Sequence, residues 1–205
     1  MNEQIVGVLL AGGQSRRMGG GDKCLRPLGD RTILEHVIDR IRPQVGPLIL
    51  NANGDPNRFQ SYGLPVVADV VDGFAGPLAG VLTGLRWAEI NAPQCEWLLS
   101  VPTDAPFVPK NLATSLRREI SAQGAQLACA TSRGRTHPVV ALWPVALADA
   151  LEQALVGEDI RKIDRWTARY RLVEVSFDDT GVDPFFNANR PEDLAIAERL
   201  LAGER

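Results

Sequence analysis

Apolar residues along the chain follow two patterns, short continuous runs and longer segments with a period of three to four residues. Four runs in the first half are almost wholly apolar: Ile5–Leu10, Pro47–Asn51, Pro65–Asp69 and Glu96–Val101. Such runs are typical of strands that are covered on both faces, as in a parallel sheet. We therefore predict four buried parallel strands in the first half of the chain.

Segments with helical periodicity lie between these strands. Apolar residues spaced by three and four follow Thr32, follow Pro77, and recur over residues 110–120. Thr32 is a candidate N-cap for the first of these helices, and Pro43 would end it. Strands that alternate with helices predict βαβ units around a parallel sheet.

The second half of the chain is less regular. Strands are predicted over 125–131, 137–143 and 171–177, a helix over 144–155, and a terminal helix over 191–204 with a proline in its first turn. No repeat or linker interrupts the 205 residues, which suffice for one domain with its own core. The predicted fold class is a single-domain, three-layer α/β/α structure with a mostly parallel, Rossmann-like sheet.

Composition and charge exclude several classes of function. The net charge is only −3 and no basic stripe with aromatic residues occurs, so we expect neither nucleic acid nor a membrane as a partner. The three cysteines are far apart and form no C-x-x-C pair, which argues against a disulfide framework or a zinc site. The first residues lack the pattern of a signal peptide, and nothing resembles a coiled-coil seam. We expect a monomer in the reducing cytoplasm.

The stretch "LAGGQSRRMGGGDK" (Leu10–Lys23) joins the first strand to the next elements and is rich in glycine and positive charge. Open α/β sheets bind ligands beyond the carboxyl ends of their strands, where glycines let backbone N–H groups approach an anion. The chain has neither G-x-x-x-x-G-K-[ST] nor G-x-G-x-x-G at this place. The glycines alone therefore indicate either a phosphate-binding loop or a flexible connection.

Four further stretches narrow this interpretation: "LILNAN", "VVADVVDGFAGPLAG", "VPTDAPFVP" and "FFNANRPEDL". With the opening loop, and in this order, they resemble the molybdenum cofactor guanylyltransferases, which belong to the nucleotidyltransferases of the nucleotide-diphospho-sugar transferase type. The resemblance covers nearly the whole chain. It implies an enzyme that uses Mg²⁺ to transfer GMP from GTP to molybdopterin with release of pyrophosphate. GTP and molybdopterin are the implied small-molecule partners, and cofactor-delivery or apo-molybdoenzyme proteins are possible macromolecular ones.

The same resemblance assigns the residues that would bind and activate the nucleotide. Leu10, Ala11, Gly12 and Gly13 would surround the triphosphate, with backbone amides of the last three as donors. Arg17 and Lys23 would offset its charge; the bland alternative for Lys23 is a surface lysine.

Polar residues at the ends of three predicted strands complete the nucleotide site that the resemblance implies. Asp104 would be the catalytic carboxylate and the Mg²⁺ ligand, since magnesium takes one or two protein carboxylates and fills its octahedron with phosphate and water. Asn51 and Asp69 would contact the base or the ribose. A turn or helix cap at Asp104, and a loop cap at Asn51, are the structural alternatives.

The molybdopterin would bind in the remaining part of the chain. His137 is a candidate contact to the pterin or its phosphate, and Asn187 and Asn189 would share one face if they lay on a strand. A loop histidine and an asparagine turn are the competing interpretations. Residues 1–107 would form the nucleotide-binding part and the remainder the acceptor-binding part.

Two other functions stay open at the level of sequence. One is a cytidylyltransferase or sugar-1-phosphate nucleotidyltransferase that uses the same loop with another base or acceptor. The other is a non-catalytic GTP-binding module, which the presence of Lys23, Arg17 and Asp104 disfavours.

Overall fold

The structure is a computed structural model that describes residues 2–12, 22–71, 73, 76–177, 181–188 and 191–203. Its strands, in chain order, are β1 Ile5–Leu10, β2 Pro27–Leu28, β3 Arg31–Thr32, β4 Leu48–Asn51, β5 Val66–Val67, β6 Trp97–Pro102, β7 Leu127–Ser132, β8 Arg135–Pro144 and β9 Leu172–Ser176. Seven of them form one sheet in the order β5-β4-β1-β6-β8-β7-β9, and β2 and β3 form a small hairpin. Every pairing in the large sheet is parallel except those of β8, which runs antiparallel to both neighbours.

Six α-helices lie in the described residues: α1 Ile33–Ile41, α2 Pro77–Asn91, α3 Leu112–Gln123, α4 Ala148–Glu152, α5 Ile163–Thr167 and α6 Pro191–Leu201. Buried residues of α1 and α3 pack on one face of the sheet, and those of α2, α4 and α5 pack on the other. A smaller cluster joins α6 to the β2–β3 hairpin. The predicted three-layer, mostly parallel α/β fold is confirmed. None of the helices in these ranges is both long and apolar enough to span a bilayer.

The first helix begins where its sequence predicts. The Thr32 hydroxyl accepts a hydrogen bond from the Glu35 N–H at 3.2 Å, and the Glu35 carboxylate accepts one from the Thr32 N–H at 2.7 Å. This capping box satisfies two backbone donors at the start of α1. The helix ends at Ile41, and a 3₁₀ turn that includes Pro43 follows it.

Two predicted elements are shorter than their apolar pattern. The strand expected over residues 65–69 is only β5, because the Asp69 N–H donates to the side chain of Asn53 at 2.9 Å in place of a neighbouring strand. The helix expected over 144–155 is a 3₁₀ turn, the short α4 and a π-helical turn at Gln153–Gly157. The β2–β3 hairpin, α5 and the 3₁₀ helix Pro56–Tyr62 were not predicted from the hydrophobic pattern.

Strand order places the ligand-binding edge of this sheet. From β1 the chain passes through α1 to β4 on one side, whereas β6 lies on the other side of β1 and leads through α3 to β7. The segments that leave β1 and β6 therefore diverge and open a crevice beyond their carboxyl ends. Open α/β sheets bind their ligands in such a crevice.

Candidate active site at the carboxyl edge of the sheet

The last residues of three neighbouring strands stand side by side at this edge. Leu10 of β1 is in register with Asn51 of β4 on one side and with Pro102 of β6 on the other. The Ala11 N–H donates to the Asn51 carbonyl at 2.9 Å, and both the N–H and the hydroxyl of Thr103 lie 3.3 Å from the Leu10 carbonyl oxygen. Backbone bonds thus hold the start of the loops after β1 and β6 together.

These contacts limit what the start of the glycine-rich loop can donate to a ligand. The Ala11 amide is committed to Asn51, so it is not an open donor in this structure. Gly12 is exposed, and no atom lies within 4 Å of the position that a Cβ would occupy there. Gly13, Arg17 and the more distant Asn189 lie outside the described residues, so their predicted roles stay predictions.

Asp104 follows β6 directly and has an unusual side chain. Its Oδ1 atom is buried and has no hydrogen-bond partner, while its backbone carbonyl accepts from the Ala188 N–H at 3.0 Å. Burial raises the pKa of the Asp104 carboxyl above its ordinary value, and the charge of Lys23 partly opposes this rise. An unpaired buried oxygen costs free energy, about 1–3 kcal/mol, which a ligand at that atom would recover.

The surroundings of Asp104 fit a divalent cation that is bound mainly by substrate. In the described part of the chain, no cluster of three or more His, Cys, Asp or Glu side chains could hold a metal by itself. Magnesium does not need such a cage, because it accepts a single protein carboxylate together with phosphate oxygens and water. The open oxygen of Asp104 could supply that carboxylate ligand.

Lys23 is held near Asp104 by the residue that follows it. Lys23, Cys24 and Leu25 form a 3₁₀ turn in which Cys24 is buried and its thiol lies beside Thr103. Burial raises the pKa of the Cys24 thiol to about 11, so the thiol stays protonated at neutral pH. Cys24 therefore anchors the turn that contains Lys23 beside the start of the Asp104 turn.

Asn51 and Asp69, predicted from separate strands, are in direct contact. The Asn51 amide donates to Asp69 Oδ1 at 2.9 Å and to the Val67 carbonyl at 3.2 Å. Asn53 donates to Asp69 Oδ2 at 2.8 Å and accepts from the Asp69 N–H at 2.9 Å. The two amides fix the orientation of the Asp69 carboxylate. Because a carboxylate has about four lone-pair sites, Asp69 can still accept hydrogen bonds from a ligand.

Helix α2 packs against this pair at a glycine. A Cβ on Gly80 would lie 2.3 Å from Asn51 Oδ1 and 2.7 Å from Leu10 Cδ2, so only glycine lets the helix approach the strand ends so closely. One turn further on, the buried Thr83 hydroxyl accepts from the Val70 N–H at 3.1 Å and holds the chain after Asp69. Neither the close approach at Gly80 nor the hydrogen bond of Thr83 was predicted from the sequence. The available signals were a glycine near the start of a predicted helix and a threonine on its apolar face.

His137 belongs to a second polar cluster, near the start of β8. Ser132 is buried, and its Oγ lies 2.7 Å from Asp183 Oδ1 and 2.8 Å from His137 Nε2. The serine has one proton and the carboxylate can only accept, so Ser132 donates to Asp183 and accepts from the Nε2–H of His137. Burial lowers the pKa of His137, and Asp183 partly opposes that effect. Nothing in the sequence pointed to Ser132 or Asp183.

This cluster connects to the Asp104 turn through a short segment. Asp183 Oδ1 also accepts from the Phe185 N–H at 3.0 Å, and the same segment ends with the bond from Ala188 to the Asp104 carbonyl. Asn187 is exposed within it, and residues 186–188 are not a strand, so the predicted shared strand face is wrong for Asn187. The segment nevertheless brings Asn187 to the same edge as Asp104.

Fold and site together define a class. A diverging crevice in a mostly parallel sheet, bordered by Gly12 after β1, by Lys23 and by the unsatisfied Asp104, is typical of α/β proteins that bind nucleotides and handle their phosphates. The family model of the MobA-like NTP transferase domain matches residues 7–173 of this sequence. The chain belongs to this family of nucleotidyltransferases, which confirms the resemblance seen in the sequence.

Individual relatives support the assignment. The chain is 55% identical over 200 residues to a molybdenum cofactor guanylyltransferase of Bradyrhizobium sp. (strain ORS 278), which covers 98% of this chain and 94% of the relative. Its fold is similar to that of molybdopterin-guanine dinucleotide biosynthesis protein A from Archaeoglobus fulgidus, with TM-score 0.75, 24% identity, and coverage of 97% and 99%. A Mycobacterium tuberculosis protein solved with manganese has the same fold, with TM-score 0.65, 20% identity, and coverage of 97% and 100%.

Proposed function

We propose that this chain transfers GMP from GTP to molybdopterin and releases pyrophosphate. The observation that carries the proposal is the arrangement along one sheet edge of a satisfied carboxylate, Asp69, and an unsatisfied one, Asp104. The first suits recognition of a nucleoside and the second suits the reacting phosphates. The relationship to curated guanylyltransferases, over nearly the full length of both chains, supports GTP and molybdopterin as the substrates.

The reaction is an in-line displacement at the α-phosphorus of GTP. A phosphate oxygen of molybdopterin forms a new P–O bond there, the bond between the α-phosphorus and the bridging oxygen breaks, and pyrophosphate leaves with that electron pair. Both reactants are anions, so the protein mainly has to position them and offset their charge. When bound, Mg²⁺ would supply charge neutralisation at the phosphates.

The chain's own residues divide this task. Asp104 would offer its free oxygen to the cation, and Lys23, close enough to influence that carboxyl, would offset charge on the triphosphate. Arg17 would assist from the glycine-rich loop. Asp69 would accept from the donors of guanine or from the ribose hydroxyls, with Asn51 and Asn53 holding it in place.

The acceptor would approach from the other side of Asp104. The segment after Asp183 reaches this edge, and the antiparallel strand β8 begins on the same side of the sheet; they carry Asn187 and His137. We propose that these two residues, with Asn189, border the molybdopterin site, and that the nucleotide site lies within residues 1–107. The chain's second half would then position the attacking phosphate.

Incubation with α-³²P-labelled GTP, molybdopterin and Mg²⁺ tests the proposal directly. We expect label in a pterin dinucleotide, and no transfer from labelled CTP or ATP. Asp104→Asn should lower the rate by at least ~100-fold, in the range seen when one charge-stabilising group is lost. Asp30→Asn, at an exposed hairpin turn, is the matched control and should retain full activity.

Each other outcome points to a different function. Transfer from CTP alone would replace the guanylyl assignment with a cytidylyl one. Tight GTP binding with no transfer to molybdopterin would favour a GTP-binding module. Full activity of Asp104→Asn would overturn the role given to that carboxylate.

A further inference from the structure

Arg58 joins two parts of the proposed nucleotide site without belonging to either. Its Nε lies 2.7 Å from Asp22 Oδ2, and its Nη2 donates to the Asn53 carbonyl at 2.6 Å. The guanidinium carbon is 4.9 Å from the ring centre of Phe59. One side chain therefore connects the chain before Lys23 with the chain after β4.

Each residue that Arg58 contacts adjoins, or is hydrogen-bonded to, a residue expected to contact the nucleotide. Asp22 precedes Lys23, the cation expected at the triphosphate, and it is the N-cap of the turn that contains Lys23. Asn53 binds both the N–H and the carboxylate of Asp69, the group expected at the nucleoside. The guanidinium of Arg58 therefore bridges the two protein segments that would contact the phosphate end and the nucleoside end of the ligand.

The segment that carries Arg58 is capped at its start and anchored to the core. Arg58 lies in the 3₁₀ helix Pro56–Tyr62, which is capped by a bond from the Asn57 N–H to the Asp55 carboxylate and anchored by the fully buried Phe59. Gly54 has φ +88°, and a Cβ there would lie 3.0 Å from Arg58 Nη1. The turn at Gly54 thus leaves the space that the guanidinium occupies.

The chemistry of the contact requires arginine. The side chains of Arg58 and Asp22 are 32% and 23% exposed, so their ion pair is only partly screened by water. A guanidinium presents several N–H donors in a fixed plane, and it can bind a carboxylate and a carbonyl at the same time. Lysine carries a similar charge on a flexible stem and lacks that fixed geometry.

We propose that Arg58 is a positioning residue that holds the Asp22–Lys23 segment at the correct distance from the Asn53–Asp69 pair. This inference rests on the proposed nucleotide site and adds a coupling between its two halves. A nucleoside triphosphate that engages both halves benefits from their fixed spacing, because less order has to be created on binding. GMP lacks the β- and γ-phosphates and should benefit much less.

The coupling is measurable as the ratio of two dissociation constants, that of GMP over that of GTP, both with Mg²⁺. Calorimetry on the full chain would compare wild type with Arg58→Gln, Arg58→Lys, Asp22→Asn and the Arg58→Gln/Asp22→Asn double variant. We expect Arg58→Gln to weaken GTP about tenfold and GMP less than threefold, which lowers the ratio. Asp22→Asn should act in the same direction, and the double variant should lose little more than the stronger single one.

The matched control is Arg118→Gln, which removes an arginine whose side chain is 73% exposed on α3. It should leave both dissociation constants unchanged. Circular dichroism and thermal unfolding establish that each variant is folded, and Arg58→Lys tests charge without the planar geometry. A ratio restored by lysine would mean that charge alone suffices, which would overturn the bridging role.

Other outcomes separate this inference from the proposed function. Equal weakening of GMP and GTP by Arg58→Gln would show a merely stabilising residue, and no weakening would also refute the coupling. If wild type binds CTP in place of GTP, the guanylyl assignment fails, and the ratio for CMP and CTP then decides the role of Arg58. Absence of binding for every nucleotide would overturn both.

Discussion

Gly80→Ala adds a single methyl group at the point where α2 meets the candidate nucleotide site. The new Cβ would lie 2.3 Å from Asn51 Oδ1, and an ordinary contact begins near 3.4 Å. The amide oxygen would therefore have to move by about 1.1 Å. Asn51 is almost fully buried, so this movement cannot occur without disturbing its hydrogen bonds.

The magnitude follows from two contributions that destabilise the fold and one that stabilises it. Overpacking of a tight interior site costs about 1–3 kcal/mol. Weakening the bonds of the Asn51 amide to Asp69 and Val67 adds about 1–3 kcal/mol. Alanine in place of glycine inside a helix returns up to ~1 kcal/mol. Together these span about 1–6 kcal/mol, and we expect a net loss near the middle of that range, about 2–4 kcal/mol, or roughly 5–15 °C in Tm for a chain of this size.

Gly84→Ala is the matched control, one helical turn further along α2. Its Cβ would lie 2.9 Å and 3.0 Å from the two methyl groups of Leu98 and 3.1 Å from a methyl group of Val8. Both side chains are apolar, and both residues lie before the carboxyl ends of their strands. This variant should also lose stability. Its GTP dissociation constant should stay within about twofold of wild type, whereas Gly80→Ala should weaken GTP by roughly tenfold or more because Asn51 positions Asp69.

Urea unfolding and calorimetry with GTP and Mg²⁺ would measure both effects. The reasoning is refuted if Gly80→Ala is as stable as wild type, since the helix would then have moved away without cost. It is equally refuted if both glycine variants weaken GTP by the same factor, since the loss would then follow stability and not the position of Asn51.

Three further expectations follow from single contacts. In EDTA, Asp104→Asn should be as stable as wild type near pH 4 and should become the more stable protein as pH rises. A carboxyl whose pKa is raised in the folded state stabilises the fold below its unfolded pKa of about 3.9, and this contribution is lost as pH rises through the folded pKa, by ~1.4 kcal/mol for each unit of the rise. A difference in unfolding free energy that is independent of pH would contradict this. Ser132→Ala should lower the free energy of unfolding by about 1–3 kcal/mol, because His137 and Asp183 lose the hydroxyl that both contact. It should also raise KM for molybdopterin with little change in GTP affinity, and steady-state kinetics with each substrate varied would show whether GTP is affected instead. Thr32→Ala should lower Tm by roughly 2–4 °C through loss of the N-cap, with an unchanged transfer rate, as differential scanning calorimetry and the labelled-GTP assay would determine.

Local patterns predicted the elements that are determined locally. The bounds of β1 coincide with the apolar run from Ile5 to Leu10, and the cap at Thr32 was visible because a threonine directly precedes the helical apolar pattern. The strand at Val66–Val67 was overestimated because an apolar run does not reveal that Asn53 takes the Asp69 N–H. Whether a side chain such as that of Asn53 takes a backbone N–H from a strand depends on the path of another loop, which the local sequence does not show.

Some residues of the candidate site could be predicted from the sequence and others could not. Asn51, Asp69 and Asp104 follow predicted strands, and parallel strands end at one edge, so sequence could place them together. The contacts of Ser132 with Asp183, and of Asp22 with Arg58, join residues far apart in the chain. No spacing rule links such pairs, because their meeting depends on the path of segments that carry no regular pattern.

The two carboxylates at the sheet edge differ in a way that bears on mechanism. Asp69 receives two side-chain amides, so its orientation is set before any ligand arrives. Asp104 keeps a buried oxygen without a partner, a cost that a stable fold would ordinarily avoid. Under the proposed function this difference is useful: rigid recognition of the nucleoside requires a satisfied group, while the reacting phosphates and their cation require one that is not. Filling the vacant position on Asp104 with a donor from the protein would stabilise the fold and weaken the binding of the ligand that activity needs.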